Sequence, residues 1–119
     1  MRPLRKPDVA LTVKNLFAGT AGPSGTEEFL TLFDNDRARI ERIVSHGHAS
    51  PPGFWYDQNT DEWVVLLRGC ATLEFDDGST VEMRAGDYLS LPSHVRHRVA
   101  RTDNETVWLA VHISGPILA

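Results

Sequence analysis

Cysteine is almost missing from the sequence, because Cys70 is the only one among its 119 residues. A single cysteine excludes an internal disulfide, and with it the class of small secreted domains that disulfides hold together. Cys70 follows a turn glycine in an apolar run and has no histidine next to it in the sequence, whereas a catalytic thiol needs such a partner. We therefore interpret Cys70 as a structural residue.

Long apolar runs and an excess of basic residues are missing too. The first residues, from Met1 to Pro7, lead into no apolar segment of signal-peptide length, so we expect a cytoplasmic protein that does not enter membranes. The chain has 12 Lys and Arg against 16 Asp and Glu, a formal net charge of -4, which argues against nucleic-acid binding. Its length suits one soluble domain.

Helical periodicity is scarce, and strand-length runs separated by turn residues dominate from Arg37 onward. Glycine, proline and Asp-Gly or Asp-Asn pairs lie between the runs, as expected for tight links. This pattern predicts an all-β sandwich or barrel. The predicted strands are 39–45, 62–68, 71–75, 80–83, 88–91, 97–101 and 107–113.

The first 36 residues differ from the rest. Residues 1–25 are rich in Pro and Gly and predict an arm with at most an edge strand around 9–13. Ser24 or Thr26 can cap a short helix that runs to Phe33, since two glutamates and several apolar residues follow. We thus expect an N-terminal arm and short helix over 1–36, packed on a barrel over 37–119.

Two predicted strands, 63–67 and 107–111, are apolar on both faces. A strand with one face in water would alternate between apolar and polar residues, so both faces of these strands are expected to be covered. The barrel interior can cover one face. The other must pack against the N-terminal arm or a second subunit, and we expect a homodimer.

Residues 86–97 form a motif of fixed spacing, in which Gly86 is followed by five residues, Pro92 and, five positions later, His97. The glycine makes a turn into a strand, and the proline breaks that strand and aims the histidine inward. This stretch resembles the second motif of the cupin superfamily, and small stand-alone bacterial cupins in particular. The resemblance implies a double-stranded β-helix, or jelly-roll barrel. The family usually has glycine two positions after the proline, where this chain has His94.

A second motif, in which Glu62 is followed by six residues and Gly69, resembles the end of the first cupin motif. In the family a His-x-His pair lies four or five residues before that glutamate, and three histidines and the glutamate bind a metal. Here the corresponding stretch, Trp55 to Gln58, contains no histidine, and a His-x-His occurs about ten residues upstream at His46 and His48.

Two arrangements of the site are open. In the first, His46 and His48 point into the barrel on the same parity as Ile40, Arg42 and Val44. In the second, Tyr56, Asp57 and Gln58 stand where the histidines would be and form an oxygen-rich site with Glu62 and His97. The spacing from Glu62 favours this second arrangement. We predict three catalytic residues: Glu62, His97 and Tyr56. The predicted metal ligands are Glu62, His97, Gln58 and His48. The remaining predicted pocket residues are Asp57, His94, Arg42 and His112.

The chemistry of such a site has more than one reading. Imidazole and carboxylate with open positions suit a divalent transition metal, namely Fe, Mn, Ni, Zn or Cu. A metal-dependent enzyme of this kind would act as an oxygenase, isomerase or lyase on a small polar organic molecule. Without a metal, Glu62 and His97 can work as an acid–base pair, as the resemblance to cupin-type isomerases implies. The alternative is a non-catalytic cupin that binds or senses a small molecule.

Overall fold

The computed structural model describes residues 11–114, which form eight β-strands and no helix. This confirms the predicted all-β architecture and its seven predicted strands. No helix within 11–114 has the length and apolarity needed to cross a membrane. The strands are β1 (Glu27–Asp34), β2 (Ala38–His46), β3 (Asp61–Arg68), β4 (Cys70–Phe75), β5 (Thr80–Arg84), β6 (Tyr88–Leu91), β7 (His97–Thr102) and β8 (Asn104–Ile113).

The strands form two antiparallel sheets. The larger sheet has the order β1-β2-β8-β3-β6 and the smaller has the order β5-β4-β7. Alternate residues of β3 to β8 point between the sheets, where they form one apolar core. Ile43 of β2 packs against this core, whereas β1 is almost entirely exposed. The buried core residues include Val64, Leu66, Leu73, Met83 and Trp108.

The predicted helix after Ser24 is wrong, because residues 27–34 form strand β1 instead. This strand pairs with β2 from Glu27 opposite Ser45 to Asp34 opposite Arg39, with a bulge between Thr31 and Phe33. Pairing with an existing sheet edge outweighs the weak helical preference of a short segment. Residues 27–34 therefore belong to the barrel wall. Of the edge strand predicted around 9–13, residues 9 and 10 lie outside the described residues, and residues 11–13 form no strand.

The arm before β1 lies against the outer face of the large sheet. The Arg42 guanidinium donates to the carbonyl oxygens of Leu16 and Ala18, at 3.2 and 2.5 Å. Arg68 lies 4.5 Å from the centre of the Phe17 ring, a cation–π contact. These contacts fix the arm on the side of the sheet opposite the core.

Candidate functional site

A cavity of about 220 Å³ opens between the two sheets. The cavity has an apolar wall and a group of converging polar side chains. Binding sites for small molecules usually have this form. Its polar lining consists of Glu27, Arg39, Glu41, Tyr56, Gln58, Glu62, His97 and His112. Its apolar lining consists of Phe29, Ile43, Val64, Leu73, Leu91, Val99 and Trp108.

His97 is held in one orientation at the start of β7. Pro92 follows the last residue of β6, and the link that follows brings His97 into a two-way backbone pairing with Tyr56, N to O at 2.7 and 3.1 Å. The His97 Nδ1 lies 2.9 Å from the Val95 carbonyl oxygen. Because a carbonyl can only accept, Nδ1 carries a proton, and in the neutral ring Nε2 keeps a free lone pair.

Glu62 faces His97 from the inner face of β3. Its Oε1 lies 3.9 Å from His97 Nε2, and both side chains are about nine-tenths buried. Burial raises the pKa of Glu62 to about 7; nearby Glu41 adds to the rise and Arg39 opposes it. Burial also lowers the pKa of His97. The site therefore joins a carboxyl group that can hold a proton near neutral pH to an imidazole that stays neutral.

Tyr56 and Gln58 line the cavity, whereas Asp57 between them is exposed and points away from it. This alternation is that of an extended segment. The Tyr56 ring stacks on His97 with centroids 5.4 Å apart. Burial, followed by the charge of Glu27, raises the pKa of Tyr56 to about 12, so the phenol keeps its proton at physiological pH.

Strand β2 contributes a charged pair that was not predicted from the sequence. Arg39 and Glu41 line the cavity, and their Nε and Oε2 atoms are 3.6 Å apart. His112 on β8, a predicted pocket residue, places its Nε2 3.0 Å from Glu41 Oε1. Alternation with Ile43, an apolar residue of the same parity, was the signal that could have found them.

Glu27 is the second missed residue. As the first residue of β1 it reaches the cavity, where it accepts hydrogen bonds from Ser45 Oγ and Tyr56 Oη, both at 3.5 Å. His48 Nε2 lies 3.6 Å from Glu27 Oε1. Burial raises the pKa of Glu27 despite the opposing effect of His48. His48, a predicted metal ligand, thus contacts a cavity residue without lining the cavity itself.

Four other predicted positions, Arg42, His46, His94 and Asp57, lie outside the cavity. Even-numbered residues of β2 face outward, so Arg42 binds the arm, and His46 is buried beneath it, close to Gly22. The inward parity predicted for this strand is therefore wrong by one residue. His94 and Asp57 form an exposed pair, Nδ1 to Oδ1 at 2.9 Å, on the surface.

Comparison with known proteins identifies the family. The profile of the cupin domain matches residues 40–112, more than half of the chain. The chain belongs to the cupin family. No curated protein matches the sequence.

Solved cupin structures agree with this fold. A "putative mannose-6-phosphate isomerase" from Ralstonia eutropha JMP134 is 46% identical, with a TM-score of 0.82, over 88% of this chain and 100% of its own. A cupin superfamily protein from Desulfitobacterium hafniense DCB-2 is 17% identical, with a TM-score of 0.73, over 94% of this chain and 100% of its own. A cupin domain from Bordetella pertussis Tohama I is 20% identical, with a TM-score of 0.61, over 80% and 100%.

Cupins commonly bind divalent metals, and the cavity of this cupin offers only part of the donor set of such a centre. Glu62 and His97 supply two donors, and the Gln58 amide lines the same cavity. Within residues 11–114, no three or more His, Cys, Asp or Glu side chains are grouped so that they could hold a metal ion. These residues do not fit a three-histidine, one-glutamate centre, whose imidazole donors transition metals prefer. Acid–base chemistry by Glu62 and His97 needs no such centre.

Proposed function

We propose that this cupin is an isomerase-type enzyme that moves a proton within a small polar organic molecule, with Glu62 and His97 as its acid–base pair. The observation that carries the proposal is the fixed polarity of that pair. The Val95 carbonyl keeps the proton of His97 on Nδ1, and Nε2 then faces the Glu62 carboxyl group across 3.9 Å. One group can give a proton while the other accepts one.

The roles follow from protonation. A carboxyl group with a pKa of about 7 is present in both forms near neutral pH, so Glu62 can act as either acid or base. His97 Nε2 accepts a proton from the substrate or from Glu62. Tyr56, whose phenol stays protonated, can donate a hydrogen bond to a substrate oxygen. The name of the Ralstonia eutropha relative denotes an isomerase, which supports the same reaction class.

The test is solvent-deuterium exchange. Small hydroxyaldehydes and hydroxyketones are incubated with the protein in D₂O, and deuterium entering the carbon next to the carbonyl is followed by NMR. We expect Glu62→Gln and His97→Asn each to slow the exchange by about 100-fold or more, the usual contribution of a general acid or base. His97→Asn keeps a donor near Nδ1 and removes Nε2, so the loss reports on Nε2.

Glu82→Gln is the matched control, because Glu82 is exposed on the small sheet and bonds only outer-face residues there. Exchange at the wild-type rate in Glu62→Gln or His97→Asn would contradict the assigned roles. Elemental analysis of protein purified without an affinity tag addresses the metal-dependent alternative. A stoichiometric transition metal whose removal stops exchange would favour that alternative over side-chain catalysis.

A non-catalytic binding role is the second candidate. Much of the cavity wall is apolar and includes Ile43, Val64, Leu73, Leu91 and Val99. Such a wall suits the binding of a small molecule whether or not a reaction follows. Saturable binding without exchange for any compound that binds would favour this role.

A further inference from the structure

The charges that line the cavity are unbalanced. Three carboxylates, Glu27, Glu41 and Glu62, face it, and Arg39 is the one guanidinium in its described lining. Arg39 is engaged by Glu41, Nε to Oε2 at 3.6 Å. Among the described lining residues, neither of the other two carboxylates has a guanidinium or ammonium group within ion-pair distance, and Arg39 acts on Glu62 only from farther away.

Glu62 is the clearer case. Its side chain is only 10% exposed, and no hydrogen bond within residues 11–114 involves its carboxylate. The imidazole of His97 lies 3.9 Å from it, beyond hydrogen-bond distance. A buried carboxylate without a donor is costly, so it either holds a proton or receives a donor from a ligand. The solvent-accessible route to that carboxylate is the cavity itself.

Glu27 and aromatic rings complete the environment. The hydroxyls of Ser45 and Tyr56 donate to Glu27 at the long distance of 3.5 Å, and His48 Nε2 lies 3.6 Å from its Oε1. Tyr56 lies near both Glu27 and Glu62. Its hydroxyl contacts Glu27, and its ring stacks on His97, which is the neighbour of Glu62. Phe29 and Trp108 line the same cavity. Aromatic faces and carboxylates both attract organic cations.

We propose that the cavity takes a substrate that carries a protonated amine, placed between Glu27 and Glu62, and that it disfavours a phosphorylated molecule of the same size. This inference names the substrate class of the proposed acid–base enzyme and rests on that proposal for the role of the cavity. An ammonium group supplies the missing donors and offsets the two carboxylates. A phosphate dianion would meet three carboxylates and one guanidinium that is already paired.

Three sugars with the same hexose ring test the proposal by their charge: mannosamine, mannose and mannose 6-phosphate. Binding is followed by the NMR signal of the Trp108 indole N–H, which lines the cavity and donates to Ser45 Oγ at 3.2 Å. We expect mannosamine to bind at least about 10-fold more tightly than mannose, the effect of about 1.4 kcal/mol. Mannose 6-phosphate should bind most weakly, and added salt should narrow the differences.

Variants separate a charge effect from a change in shape. Glu27→Gln and Glu62→Gln should each remove most of the advantage of mannosamine over mannose, whereas Glu82→Gln should preserve it. Equal binding of the three sugars, tightest binding of the phosphate, or no response of the Trp108 signal to mannosamine would each overturn the proposal.

The outcome is independent of the exchange experiment. A preference for the amine without deuterium exchange in any compound supports the ligand class and refutes the catalytic role. Exchange that depends on Glu62 and His97 without a preference for the amine supports the catalytic role and refutes the ligand class.

Discussion

The backbone of His94 adopts φ of 64°, in the left-handed region that favours glycine. His94 stands two positions after Pro92, where the cupin motif usually has glycine. Its amide donates to the Gln58 carbonyl at 2.7 Å, and its ring contacts Asp57. The turn is thus kept without glycine, and it ties the link before β7 to the segment that carries Gln58. The sequence showed the missing glycine but not the compensating contacts, which come from distant residues.

Glu62 makes a prediction about stability. Burial raises its pKa from 4.5 to about 7, so its contribution to stability is fully present below pH 4.5 and is lost as pH rises through 7. Glutamine has the same shape and no charge. We expect Glu62→Gln to match the wild type near pH 4.5 and to exceed it at pH 8 by up to about 3 kcal/mol in the free energy of unfolding.

Urea denaturation across this pH range measures the difference. Glu82→Gln removes a carboxylate from the exposed face of the small sheet and provides the reference. A Glu62→Gln protein that is less stable than the wild type at pH 8, or whose advantage does not change with pH, would show that Glu62 is not a buried carboxyl of this kind.

Strands β1 and β2 show how far elements could be predicted. Seven strands follow from turn residues and short apolar runs, whereas residues 27–34 carry glutamates and apolar residues that also suit a helix. Only pairing with β2 decides between them, and that contact is tertiary. On β2 itself the extent was right and the face was wrong. The wrong face of β2 is why Glu41 was missed, and the helix predicted over residues 27–33 is why Glu27 was missed. Tyr56, Gln58, Glu62 and His97, which were placed by motif spacing, line the cavity.

The link between β3 and β4 makes a prediction about the first cupin motif. Gly69 has φ of 89°, and a Cβ there would lie 2.5 Å from Thr106 Oγ1 and 2.9 Å from Thr106 Cα. The second atom is backbone and cannot move aside cheaply. We expect Gly69→Ala to lower the free energy of unfolding by about 3 kcal/mol, from strain and overlap together.

A comparison with Gly78 separates the effect of backbone strain from the effect of atomic overlap. It has a similar φ of 87°, but a Cβ there would meet nothing within 4 Å. Gly78→Ala should therefore cost only the strain, about 1 kcal/mol. Thermal and urea unfolding of both variants give the comparison, and equal losses would show that the contact with Thr106 contributes nothing.

The two sheets differ in their outer faces. On the small sheet the outer face is charged and paired, with Arg98 bonded to Glu74 at 2.6 Å and Thr72 bonded to Glu82 at 2.9 Å. On the large sheet the outward positions of β3, β6 and β8 carry Trp63, Val65, Tyr88, Leu109 and Val111. The described part of the arm, from residue 11 onward, contacts β2 and the β3 end at Arg68. These contacts leave a contiguous apolar surface on β3, β6 and β8.

We therefore expect a homodimer that covers this apolar surface, because water contacts on so many neighbouring apolar side chains are unfavourable. Tyr88 is 68% exposed at the sheet edge and packs on Trp63, with ring centroids 5.6 Å apart.

Tyr88→Lys places a charge on the surface with little effect on the core, so it should shift the protein toward the monomer in light scattering coupled to size exclusion. Thr80→Lys adds the same charge to the outer face of the small sheet, opposite Glu74, and should leave the dimer intact. A wild-type protein that remains monomeric as its concentration rises would refute the expectation, and dissociation by Thr80→Lys alone would place the interface on the other sheet.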